Sequence, residues 1–136
     1  MRELLFRSWV DDHYEHNVPV NKNGKYSHCV STGFERQYDP SYKEYDVEQS
    51  TELEYNFHKY FEHDVCEMDI PVSLDSKKKE TVRGFIEFMY GSFFFIEIGG
   101  KGRRWIFSDI ATMAINSNAK VIYLGDSNNN PELLEV

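Results

Sequence analysis

The chain has 136 residues, 40% apolar and 15% aromatic, with 23 acidic against 15 basic side chains and a formal charge of −8. That length suits one domain with an ordinary core, and the aromatic content excludes a chain too polar to fold. No apolar run reaches the roughly 18 residues of a membrane span, the first residues lack the pattern of a secretion leader, so none is expected, and the two cysteines, Cys29 and Cys66, make no disulfide framework, so a reducing cytosol is expected.

Residues 3–10 alternate and predict a strand, with Leu4, Phe6 and Ser8 on one face and Leu5, Arg7 and Trp9 on the other. Asn21-Lys22-Asn23-Gly24 lies between Val18-Pro19-Val20 and Tyr26-Ser27-His28-Cys29-Val30. Asn-Gly supplies the positive φ of a tight turn, which predicts a hairpin with Pro19 at an edge or strand start. Residues 33–45, polar and tyrosine-rich around Asp39-Pro40-Ser41, predict a loop. Residues 47–53 predict a short strand. In 55–63 the spacing of Tyr55, Phe57, Tyr60 and Phe61 fits neither period.

The second half is more regular. Residues 65–74 alternate, Val65, Glu67, Asp69 and Pro71 against Cys66, Met68, Ile70 and Val72, and 75–79 turn. Residues 81–90 form a long strand, with Val82, Gly84, Ile86, Phe88 and Tyr90 on one face. Gly91-Ser92 reads as a type II′ connection to a return strand over 93–98. Gly99-Gly100-Lys101-Gly102 turns again, and 104–107 pairs back. Ser108 is placed to cap a helix from Asp109 to Ala114. Residues 120–124 are a last strand, and Gly125 opens an irregular tail. Short strands with Gly-containing turns predict a mainly β fold, a small barrel or roll with one short helix.

Charge is uneven along the chain. Residues 1–34 and 71–136 are each neutral by count, whereas 35–70 hold eleven acids against Arg36, Lys43 and Lys59. A charge run of this kind either faces water or forms a docking surface for a basic partner, with Glu44, Asp46, Glu48, Glu52, Glu54 and Glu62 as its candidate residues. Nucleic acid needs a basic footprint instead. The candidate basic patch is Lys77, Lys78 and Lys79 with Lys101, Arg103 and Arg104, whose alternative role is solvated turns.

No constellation of residues points to catalysis. His13 and His16 are three apart, His28 adjoins Cys29, and His63 lies near Cys66, but their spacing matches no metal motif. Gly99 to Gly102 lacks the Lys-Ser/Thr and following helix of a phosphate loop. Cys66 is surrounded by Asp64, Glu67 and Asp69, which disfavour a thiolate. Phe93-Phe94-Phe95 has the aromatic density to stack bases, with core packing as the alternative. The expectation is a protein without catalytic, cofactor or metal residues.

Both ends and the middle of the chain resemble one family, the YopX proteins of phages and prophages. The start, Met1-Arg2-Glu3-Leu4-Leu5-Phe6-Arg7-Ser8-Trp9, and the end, Asn130-Pro131-Glu132-Leu133-Leu134, follow the family's terminal motifs. In the middle, Gln49-Ser50-Thr51-Glu52-Leu53 and Phe61-Glu62-His63-Asp64-Val65-Cys66 follow its Gln-Tyr-Thr-Gly-Leu and Tyr-Glu-Gly-Asp-Ile-Val, with Glu52 and His63 in place of the glycines. The unit from Gly84 to Ile98 is similar to the family's next segment.

The resemblance implies a single domain. Residues 1–64 would hold strands, hairpin and acidic loops, and residues 65–136 an SH3-like barrel or roll and the tail. It implies a host bacterial cytoplasm. It also implies architectural roles for Phe6 and Trp9 in the core, Asp64 as a turn or strand-start acceptor and Asn130-Pro131 as a C-terminal stop. It implies no activity. The function expected is that of a phage accessory protein binding a host or phage protein through the acidic surface, with a nucleic-acid-binding barrel as the alternative. Exposed strand edges leave a homo-oligomer open.

Overall fold

The computed structural model describes residues 5–29, 41–71 and 78–135. Met1 to Leu4, the tip of the expected loop at 33–40, and the turn before Lys78, including Lys77, lie outside the described residues. The chain divides into two compact units, residues 1–50 and 51–136. The division falls inside a strand, between Ser50 and Thr51. The fold is mainly β with a single α-helix among the described residues, and no helix there is long and apolar enough to cross a membrane.

In the first unit, β1 (Phe6–Val10) and β2 (His13–His16) form a hairpin from Arg7↔His16 to Val10↔His13. Asp11, at φ 60, turns the chain between them. The other edge of β1 pairs with the start of β5 (Val47–Tyr55), through Phe6↔Gln49, Arg7↔Glu48 and Ser8↔Val47. A separate ladder joins β3 (Tyr26–Cys29) to β4 (Tyr42–Tyr45).

Three sequence expectations are corrected here. The Asn21–Gly24 turn exists, with Gly24 N–H donating to Asn21 C=O at 3.0 Å and Asn21 Oδ1 accepting from Asn23 and Lys25 N–H. Yet 18–20 is not a strand, because Pro19 has no N–H for a ladder and Val18 N–H is spent on Phe6 C=O at 3.2 Å. Tyr26–Cys29 therefore pairs with Tyr42–Tyr45, which the sequence placed in a loop. Phe6 and Trp9 are half-buried rather than core, while Arg7, Ser8 and Val10 are buried.

In the second unit, the end of β5 turns through Asn56-Phe57 into β6 (His58–Phe61), the two strands being hydrogen-bonded neighbours. Then follow β7 (Asp64–Pro71), β8 (Lys79–Met89), β9 (Ser92–Glu97), β10 (Arg104–Ile106), α1 (Phe107–Asn116), β11 (Val121–Asp126) and a 3-10 turn (Pro131–Leu134). Five of these strands form one antiparallel sheet in the order β10-β9-β8-β7-β11.

The period-2 pattern places Cys66, Met68 and Ile70 of β7, Val82 and Ile86 of β8 and Phe95 of β9 on the face covered by α1. Phe107, Ile110, Ala111 and Ala114 of the helix, with Tyr60 and Val121, complete that core. Gly84 sits where a side chain cannot. A Cβ there would lie 2.6 Å from Ile96 C=O and 2.7 Å from the Phe95 ring.

Further details differ from the sequence reading. Met89↔Ser92 are paired, so the connection is Tyr90-Gly91, with φ +53 and +80, a type I′ turn rather than Gly91-Ser92 in type II′. The helix begins at Phe107, whose ring is fully buried, so β10 runs straight into it. Ser108 therefore lies inside the first turn, and Ile106 is the N-cap without a side-chain cap. Gly125 and Asp126 remain in β11, past a bulge, instead of opening the tail.

Candidate functional site

The expected acidic surface is divided between the units. In the first, Glu48 is 4% exposed and bound to Arg7 Nε at 2.7 Å, with the Arg7 guanidinium 4.0 Å over the Tyr14 ring. A buried carboxylate with such a partner offers nothing to a docking protein, so Glu48 is removed from the surface. Asp46 is exposed but paired with Lys25. Glu44, also exposed, accepts from the side-chain amides of Asn21 and Asn23 at 3.3 and 3.4 Å. In the second unit Glu54 is exposed, while Glu52 and Glu62 are half-buried.

The expected basic patch also loses members. Arg103 bonds Glu97 through both Nε and Nη2, at 3.0 and 2.8 Å, meets Glu80 on its other side, and lies 5.1 Å over the Trp105 ring. Those hydrogen bonds hold the Glu97 carboxyl down at about 2 and raise Arg103 further. Lys79 donates to Ser117 C=O at 2.5 Å, a cation at the negative end of α1. Lys78, Lys101 and Arg104 stay exposed.

Aromatic side chains take the surface that the charges leave. Of Phe93-Phe94-Phe95, only Phe95 is fully buried, since it faces the helix. Phe94 faces the opposite side of the sheet, where it pairs with Glu87 of β8 and Ile106 of β10. Tyr90, 87% exposed, stands edge-on to Phe94 at 6.5 Å. Phe88 and Ile106 are each more than 40% exposed. Arg104 has no carboxylate partner among the described residues; its Nη1 lies 3.7 Å from Met89 Sδ.

β10 ends the sheet, and its hydrogen-bond phase follows from one contact. Glu97 N–H donates to Arg103 C=O at 2.8 Å. Antiparallel ladders alternate, so Trp105, opposite Phe95, directs its main chain at β9. Arg104 N–H and C=O and Ile106 N–H face away from the sheet, and Ile106 C=O turns into the helix.

Two polar clusters come from the histidines. In the first unit, His13 and His28 both approach Glu15 Oε2, at 3.3 and 3.5 Å, and Tyr26 donates to Glu15 Oε1 at 2.7 Å. His13 and His16 belong to a strand, not a helix. In the second unit, His58 Nε2 bonds Asp64 Oδ2 at 3.0 Å, and its ring stacks on Tyr123 at 3.6 Å. Asp64 is wholly buried, opens β7 and accepts Phe61 N–H at 2.9 Å, in keeping with a turn or strand-start acceptor.

A carboxylate behind an imidazole could orient a base. The groups beside it are unsuited to attack, however. Burial pushes the Tyr60 hydroxyl and the Cys66 thiol far up, and Tyr60 Oη has no hydrogen-bond partner among the described residues. No group of three or more His, Cys, Asp or Glu side chains among the described residues is placed to hold a metal ion. An open groove of about 360 Å³ over β7 and β8 holds Arg83 with Glu67, Glu97 and Glu135.

The aromatic face was hidden in the sequence. Alternation alone cannot say which face of a strand that is apolar on both sides meets the helix. The signal available was Tyr90 before Gly91, an aromatic residue at a hairpin tip. No family model, curated protein or solved structure matches the chain.

Proposed function

We propose that this protein is a non-enzymatic protein-binding module of phage or prophage origin, acting in the host cytoplasm, with an SH3-like roll in its second unit. The observation that carries the binding reading is how the second unit disposes of its side chains. Arg103 is neutralised by Glu97 and Glu80 and Lys79 serves the helix end, while Tyr90 and Ile106 stay exposed, with Phe94 half-buried next to them and Arg104 on the same strand as Ile106. An exposed tyrosine and isoleucine over a half-buried phenylalanine, with one arginine, have the composition of protein-interface anchors. Phosphate binding would need those cations free. The acidic segment then serves long-range steering more than contact.

The family reading has a backbone observation behind it. Glu52 and His63 stand where YopX-like proteins have glycine, and both adopt left-handed φ, +62 and +68. That is the conformation glycine adopts without cost.

The test compares capture from bacterial lysate at low and high salt. A Tyr90→Ser/Phe94→Ser variant is expected to lose a partner that Glu44→Gln/Asp46→Asn keeps. A partner lost only with the acidic residues would return the docking surface to them. Retardation of DNA or RNA at low salt, abolished by Lys101→Ala/Arg104→Ala, would replace the reading with a nucleic-acid module. No partner and no retardation would end the binding reading.

A further inference from the structure

We infer that the outer edge of β10 is a strand-addition site, which takes an extended segment of a partner protein carrying an acidic residue flanked by apolar ones. The inference rests on the protein-binding reading and names where and how the partner docks. Three main-chain groups, Arg104 N–H and C=O and Ile106 N–H, face outward from the last strand of the sheet, as the ladder phase requires. An edge so exposed is a template for another strand. Its side chains supply specificity. Arg104 and Ile106 share one face, with Phe94 next to Ile106 and Tyr90 against Phe94.

An added strand would set apolar side chains against Ile106, which Phe94 backs from β9, and a carboxylate against an arginine that has no acidic partner among the described residues. Charge therefore separates this occupant from a second copy. Antiparallel self-pairing about Trp105 would offer Arg104 an isoleucine, and each chain carries −8.

The test follows amide exchange in isotope-labelled full-length protein by NMR. The probe is a peptide of about eight residues alternating Val and Thr with one central Glu, added up to ~1 mM. The expected result is slowing of the Arg104 and Ile106 amides by about tenfold or more, with Trp105, already bonded to β9, unchanged. An N-methylated peptide should have no effect, and Arg104→Glu should move the preference to a peptide with Lys in place of Glu.

Unchanged exchange at Arg104 and Ile106, or equal binding of the N-methylated peptide, overturns the inference. Slowing of the same amides with protein concentration and no peptide overturns it in favour of self-association. If Tyr90→Ser/Phe94→Ser abolishes partner capture while these amides stay unprotected, the binding reading stands and the strand-addition site falls.

Discussion

Phe57 is fully exposed and holds φ +66, beside Asn56 at φ +52. Both central residues of this two-residue turn are thus left-handed, the type I′ geometry for which Asn-Gly is favoured. A Cβ in that region costs about 1–2 kcal/mol, and a side chain wholly in water returns none of it by burial. Glycine gives back part of the gain through its freer unfolded chain. Phe57→Gly is therefore expected to stabilise the protein by about 0.5–1 kcal/mol, read as a higher urea midpoint at unchanged slope. A lower midpoint would show that Phe57 makes a contact its exposure does not reveal. The turn was not legible in the sequence because Asn-Phe lacks the glycine that marks such turns. Asn21–Gly24 was legible for the opposite reason.

At the scale of elements, β2 and β3 are joined through one carboxylate. Tyr26 donates to Glu15 and lowers its pKa, with His13 and His28 adding to the effect. Tyr26 in turn is pushed up to about 12. His13, hydrogen-bonded to Asp12 and Glu15, is raised above its ordinary value. The signs oppose each other. The Glu15 contribution is present above the ordinary carboxyl range and is lost as pH falls through its lowered pKa. The His13 contribution is present below the ordinary imidazole value and is lost as pH rises through its raised pKa. Amide protection in β2 and β3 should therefore peak between the two and fall on both sides. Glu15→Gln should remove the fall on the acid side while the alkaline side persists through Asp12, the larger cause of the His13 shift, and a flat profile in the unmodified protein would remove the link. The sequence did not show this junction because a carboxylate and two histidines on different ladders have no common spacing. The strands of the second unit were legible because β7 and β8 keep a strict period of two. The start of α1 was not, since burial of Phe107 overrode the capping preference of Ser108.

At the scale of the molecule, the two units are held together internally by different forces. Among the described residues of the first, the buried apolar side chains are Val10 and Val18, alongside buried Arg7, Ser8, Glu48 and Ser50. The second buries Tyr60, Met68, Ile86, Phe95, Phe107 and Ile110 in one cluster with their neighbours. Each large apolar side chain fully buried contributes about 1.5–3 kcal/mol. A buried ion pair such as Arg7–Glu48 gains little over what its desolvation costs. The first unit should therefore open first. One tryptophan lies in each unit: Trp9 in β1 and Trp105 in β10. A Trp105→Phe protein reports the first unit by fluorescence, and a Trp9→Phe protein reports the second. The Trp9 transition is expected at lower urea than the Trp105 transition. Hydrogen exchange on the unmodified protein checks the order independently of either substitution. β1 to β4 should exchange at denaturant concentrations that leave β7 and β8 protected. Coincident transitions, with uniform exchange, would instead make the chain one cooperative body.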